Sequence, residues 1–145
     1  AGLGLDGAVA RDGGEGEDRV DRAGEEAGLG AEDLSVVELH DASAPAEITT
    51  YESIGLCGKG QGPDLIRDGS TRLGGRLPVN TSGGLLRKGH PVGATGIAQI
   101  VELTEQLQGR SGPRQVEGAK AALAHNGGGS IGTDAAAMCL TILSR

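Results

Sequence analysis

Three histidines, His40, His90 and His125, are the side chains of this sequence best suited to exchange protons near neutral pH. His90 has the most specific surroundings. It lies in the run Asn80-Thr81-Ser82-Gly83-Gly84-Leu85-Leu86-Arg87-Lys88-Gly89-His90-Pro91-Val92-Gly93-Ala94-Thr95-Gly96. The Gly83-Gly84 pair lets the backbone approach another group closely. Pro91 biases His90 towards an extended posture. Thr95 is placed to cap a following helix, so His90 stands just ahead of a helix N-terminus, whose partial positive charge disfavours the imidazolium. A neutral imidazole suits a general base, or a hydrogen-bond donor to an oxyanion. Taken alone, a loop histidine is more often pinned by packing than used in chemistry. His40 and Asp41 follow the strand-like run Ser35-Val36-Val37-Glu38-Leu39, and Asp41 is placed to position His40 or to cap the next helix. For Tyr51, the lone aromatic, packing is the ordinary reading.

Two other glycine motifs fail on context. Gly127-Gly128-Gly129-Ser130-Ile131-Gly132 matches GxGxxG, but a dinucleotide site needs a helix next and an acid about 20 residues on. Here the next segment reads as a strand. Gly128 to Gly132 also matches GxSxG, yet no histidine follows His125 to complete a nucleophile elbow.

The elements that must position these residues can be read from periodicity. Residues 17–29 can form a short helix, weakened by Gly24 and Gly28. A strand covers 35–39. Ser43 caps a helix with Pro45 in its first turn, running to about Ile54 and stopped by Gly55. Residues 57–76 are glycine-rich and read as a long irregular excursion. Leu77 to Asn80 is a short strand whose Pro78 points to an edge. Thr81 to Gly93 is a loop. Residues 95–108 carry Ile97, Ile100, Val101, Thr104 and Leu107 at helical spacing. Ala119 to Ala124 is a strand. Ala135 to Leu143 is a second, nearly continuous apolar strand, which predicts burial on both faces. The order gives an α/β fold, a mixed sheet with covering helices.

The chain has 145 residues, room for one domain with a real core. Ten acids and three bases fall in the first 33 residues, which accounts for the whole net charge of −7. Residues 1–16, with six glycines, read as a loose lead-in, and 17–145 as the domain. The acidic balance and the near absence of aromatics exclude a nucleic-acid partner. No apolar run is long enough to span a membrane, and no signal peptide is visible. Cys57 and Cys139 form no CxxC, so neither a metal site nor a disulfide framework is indicated, and a reducing, cytoplasmic setting is expected.

The stretch "NTSGGLLRKGHPVGATG" closely resembles the GHP loop of thiolases. "ELHDASAPAEITTYESIGLC" resembles the HDCF-containing segment of sterol-carrier-protein-2 type thiolases and related bacterial lipid-transfer proteins. "AHNGGGSIG" resembles the last active-site loop of that group. The three motifs stand in family order at family-like spacing over about residues 17–145.

The resemblance implies the C-terminal half of the thiolase fold, usually in a dimer or tetramer, with helices on both faces of the mixed sheet. It implies a coenzyme A thioester as substrate and no bound cofactor. An N-terminal domain would bring the nucleophilic cysteine. His90 would activate that thiol and help form an oxyanion hole, and His40 would orient a water there. Asn80, Gly83, Gly84, Gly89 and Gly93 would shape the loop round the thioester, with Asn126 and Gly128 on the last loop. Arg87 and Lys88 could meet CoA phosphates, but a solvated charged loop is the ordinary reading.

The departures bear on the chemistry. The family's second cysteine, an acid/base, is here Ala42 in the HDCF-like segment, and His125-Asn126 in the last loop. Ser43 replaces the Phe of that segment. Claisen condensation or thiolysis would be impaired. Retro-aldol cleavage of acyl-CoA side chains, with a zinc-ribbon/OB partner protein, is the alternative, and a non-catalytic acyl-CoA or lipid binder is another. His40, His125 and Tyr51 remain as proton carriers, with Asp41 in support. The chain alone is expected to be inactive.

Overall fold

The computed structural model of the protein describes residues 6–11, 24–131, 134–135 and 137–145. Its elements in chain order are β1 (Asp6–Arg11), α1 (24–27), β2 (Val36–Glu38), α2 (Ala44–Ser53), α3 (Gly62–Arg67), α4 (Gly84–Lys88), α5 (Thr95–Leu107), β3 (Ala121–Gly127), β4 (Ser130–Ile131), β5 (Asp134–Ala135) and β6 (Met138–Ser144). Four strands form a mixed sheet in the order β1-β6-β3-β2. β2 and β3 are parallel, with Val37 opposite Leu123, and the segments between them supply the crossover a parallel pair needs. β6 runs antiparallel to both β3 and β1.

Alternation along the strands makes two cores. Val37, Leu123, Leu140 and Ile142 face Tyr51 and Ile54 at the end of α2. Val36, Ala122 and Ala124 face Leu103 and Leu107 of α5. The expected α/β class, with helices on both faces of a mixed sheet, is borne out. Ser43 caps α2 by accepting from the Ala46 N–H at 3.4 Å, with Pro45 in the first turn and Gly55 at φ +74° just past the end.

Several expectations need correction. Residues 6–11, read as part of a loose lead-in, pair with the open edge of β6, which offers that run a full ladder. Of the expected helix at 17–29, residues 17–23 lie outside the described residues; 24–27 are helical, and the helix ends in a turn at Gly28, one residue short of the expected end. The excursion 57–76 contains α3, because Pro63 in a first turn starts a helix as readily as it makes a loop. The strand at 77–80 reduces to one bridge, Val79 to Val37, on the β2 edge, as Pro78 foretold. β3 starts two residues late and continues to Gly127, so His125 and Asn126 belong to a strand. β6 begins at Met138, and it buries Leu140 and Ile142 while its other face is only half covered.

Helix α5 has the expected period and the wrong phase. Ile97 is 68% and Val101 52% exposed, whereas Gln99, Glu102 and Gln106 are buried with Leu103 and Leu107. The polar side chains are inside because each has a partner there. Gln99 Nε2 donates to the His125 carbonyl at 3.1 Å. Gln106 donates to the Arg114 carbonyl at 2.7 Å and accepts from the Val116 N–H at 2.8 Å. Specific hydrogen bonds outweigh the simple apolar count here. Among the described residues, no helix is long and apolar enough to cross a membrane.

Candidate functional site

β2 carries the chain to Leu39, His40 and Asp41. The loop after Val79 brings Asn80 alongside, where Asn80 Oδ1 accepts from the Leu39 N–H at 2.7 Å. Asn80 holds φ +52°, the one non-glycine residue with positive φ among those described. The chain then turns through Gly83 (φ +96°) and Gly84 (φ +62°) into α4, a helix inside the expected loop. Gly89, at φ +77°, ends α4 and delivers His90.

The His90 side chain is solvent-accessible, yet its ring is held. Its Nδ1 lies 2.8 Å from Thr95 Oγ1. Thr95 is therefore not the helix cap; Ala94 takes that position without a side-chain bond, and Thr95 Oγ1 also reaches the Pro91 carbonyl at 3.3 Å. The ring meets that of His40 edge to face, with centroids 4.8 Å apart and planes at 89°. His40 Nδ1 in turn lies 3.1 Å from Asn126 Oδ1. An amide oxygen only accepts, so the neutral His40 ring makes this bond with its proton on Nδ1, leaving Nε2 open.

A cleft of about 510 Å3 opens beside this pair. His90, Gly93, Thr95 and Asn126 line it together with the backbone of Gly127 to Gly129. His40 stands at its edge, against His90, Asn126 and Gly127. The fold thus brings together His40, His90, Asn126, Gly93 and Gly128 from three separate stretches.

The other residues singled out from the sequence lie behind this surface. His125 is 5% exposed, and its Nδ1 accepts from the His40 N–H at a long 3.5 Å. Asp41 is 1% exposed; it accepts from the Leu85 N–H at 2.6 Å and the Leu86 N–H at 3.4 Å. It therefore caps α4, not the helix that follows it in sequence. A β-carbon at Gly84 would overlap Asp41 Oδ2, so only glycine fits there. Asn80, Gly83 and Gly89 shape turns instead of lining the cleft.

Tyr51 is buried and donates to Glu47 Oε1 at 2.7 Å, and burial with that bond pushes its hydroxyl far up. Lys88 bonds Ser82 Oγ at 2.5 Å, while Arg87 stays exposed. Ala42 is exposed. The Cys57 thiol, pushed up by burial, packs against the α2-side core. Cys139 lines a separate apolar pocket of about 230 Å3 between α5 and the sheet. No group of three His, Cys, Asp or Glu among the described residues could hold a metal ion.

Sequence reasoning missed Thr95 as the partner of His90, and Glu38 and Ser82 as supports of α4. Glu38 is fully buried and accepts from the Ser82 N–H at 3.0 Å and the Ser82 hydroxyl at 2.6 Å. Burial pushes its carboxyl up, against the lowering effect of the Ser82 bonds and of Lys88. A lone acid at the end of an apolar strand was the signal that could have found it.

Residues 16–144 match the family model described as thiolase C-terminal domain-like. The chain is 52% identical over 112 residues to sterol carrier protein 2 of Rattus norvegicus, covering 75% of this chain and 20% of that protein. It is 50% identical over 103 residues to acetyl-CoA acetyltransferase of Methanothermobacter thermautotrophicus, covering 71% of this chain and 27% of that one. A chain of the solved Ltp2-ChsH2(DUF35) aldolase superposes on 94% of this chain and 38% of its own length, with a TM-score of 0.73 at 24% identity. The chain therefore spans about a fifth to a quarter of the curated relatives it matches.

Proposed function

Since the chain belongs to the thiolase C-terminal domain-like family, in its sterol carrier protein 2 branch, we propose that it supplies one half of the reaction centre of an enzyme acting on acyl-CoA thioesters. The observation that carries this reading is the His40–His90 ring pair at the edge of the glycine-walled cleft. The thioester carbonyl sits between the two rings and the backbone of Gly127 to Gly129. A second domain brings a cysteine thiol to the open side of the cleft. His90 Nε2 accepts the thiol proton; the sulfur attacks the carbonyl carbon, and its π electrons move to oxygen. The protonated ring then donates to that oxyanion. His40, fixed by Asn126 with its proton on Nδ1, accepts at Nε2 from a bridging water whose other hydrogen meets the same oxygen.

The second domain packs on the apolar edge of α5. Ile97 and Val101 point outward there, beside the small pocket that Ile100 and Cys139 line. Patches of this kind mark partner surfaces.

One observation favours retro-aldol cleavage over thiolysis: Ala42 stands where the family's acid/base cysteine would be, and neither Cys57 nor Cys139 lines the His90 cleft. Retro-aldol chemistry needs one base on a β-hydroxyl. That base takes the hydroxyl proton as the carbon–carbon bond breaks, and the bonding pair passes into the thioester enolate. Two imidazoles supply the base and the donor to the enolate oxygen without a thiol.

The test joins the chain to the cysteine-bearing domain of a relative. Acetoacetyl-CoA thiolysis and cleavage of a 3-hydroxyacyl-CoA are then assayed, with the chain alone as control. The expected outcome is no turnover by the chain alone, and His90-dependent turnover by the joined protein, with cleavage faster than thiolysis. Turnover that survives His90→Ala would overturn the reading.

A further inference from the structure

We propose that Glu38 and Asp41 are positioning residues that clamp α4 from both sides and so set where His90 meets His40. Both carboxylates come from one exit, the end of β2 and the residues after it, with His40 between them in sequence. Asp41 takes the N–H groups of Leu85 and Leu86 in the first turn of α4. Glu38 takes the backbone and the hydroxyl of Ser82 just before the helix. Ser82 Oγ also accepts from Lys88 Nζ at 2.5 Å at the far end of α4, and from the Gly84 N–H at 3.3 Å. Lys88 Nζ lies 3.9 Å from Glu38 Oε2. Gly89 and His90 follow directly.

A helix of 5 residues cannot hold itself. Its placement must come from outside, and these bonds are what tie its start and its end to the β2 exit. The same exit carries His40. The clamp therefore links the backbone that bears one ring to the backbone that bears the other. Gly84 is part of the device, since any β-carbon there would displace the Asp41 carboxylate. Buried polar groups of this kind are retained for the geometry they impose and not for net stability.

The clamp serves the proposed His40–His90 centre and rests on that reading, but its test needs no substrate. NMR of the 145-residue chain reads the nuclear Overhauser contact between the two rings and amide exchange at Leu85 and Leu86. Leu123 and Ala124 in β3 report the rest of the fold. In Asp41→Ala, exchange at Leu85 and Leu86 speeds by about 10-fold or more, and the ring contact is lost, while β3 exchange changes by less than about threefold. Asp41→Asn, which keeps one acceptor oxygen, restores much of both. Ser82→Ala weakens the contact from the Glu38 side, and decides alone on the same readings if Asp41→Ala does not fold. Ring contact that persists in these variants, or β3 protection that falls in step with that of Leu85, overturns the proposal. Either result leaves the acyl-CoA reading to its own assay.

Discussion

The rings of His40 and His90 meet edge to face at 4.8 Å, each anchored through its own Nδ1, His40 on Asn126 and His90 on Thr95. Anchoring both rings through the same nitrogen leaves both Nε2 atoms open. An imidazole pair fixed in this way can accept a proton at one ring while the other holds a water against a carbonyl oxygen.

In the joined two-domain protein, His90→Ala should lower turnover by about 100-fold or more. It should leave the melting temperature nearly unchanged, because the side chain is exposed. Steady-state kinetics and thermal unfolding measure the two separately.

Asn126 should control the tautomer of His40. Long-range 1H–15N spectra of the neutral rings are expected to show Nδ1 protonated in the parent chain. Asn126→Ala should shift the proton towards Nε2, while Asn126→Asp keeps it on Nδ1. A parent ring already protonated on Nε2 would contradict the hydrogen bond from His40 Nδ1 to Asn126 Oδ1.

Glu102 and Glu38 should give stability opposite pH dependences. Burial pushes Glu102 up, but bonds from Arg114, Gln106 and Thr81 and the Arg114 charge together hold it below the usual carboxylate range. A lowered carboxyl stabilises the fold above its unfolded pKa and loses that contribution as the pH falls through the folded one. Arg114→Ala should therefore cost about 1–2 kcal/mol at neutral pH, allowing for the exposure of Arg114, and the variant should converge with the parent in acid. Glu38 is raised, chiefly by burial, so its contribution is present below its unfolded pKa and lost as the pH rises through the folded one. Glu38→Gln should thus gain on the parent as the pH is raised from acid to neutral. Urea unfolding across that range reads both.

Gly84→Ala should destabilise the chain by about 1–3 kcal/mol. It adds a β-carbon against Asp41 at φ +62°, where an L side chain is strained in any case. Gly93→Ala, also at positive φ but with open space round it, should cost less. Paired denaturation curves compare them.

Ile97→Asp and Val101→Asp should abolish pairing with the cysteine-bearing domain while the chain alone stays folded. They should also reduce binding of a hydrophobic dye by the chain alone. Analytical ultracentrifugation of the mixture and dye fluorescence check the two effects.

Much of this centre was legible in the residues. The run from Asn80 to Gly96 announced a histidine held by a glycine turn and a helix start, and His40 was marked by its place after a strand. What was not legible depended on partners distant in sequence. Helix periodicity cannot set the phase of α5, because Gln99, Glu102 and Gln106 are buried by bonds to His125, Thr81 and Arg114. Nor does a local pattern show that Asp41 caps α4 instead of α2, or that Thr95 serves His90 instead of a backbone N–H. His125 looked like a loop residue only because β3 runs three residues further than its apolar stretch.

The most direct test of the shared His40–His90 centre is an NMR titration of the chain with a dethia analogue of acetyl-CoA, in which a methylene replaces the thioester sulfur. Both ring signals and the amides of Gly127 to Gly129 are expected to shift together along one saturating curve. Saturable binding that moves other residues and leaves either ring unchanged would contradict that centre.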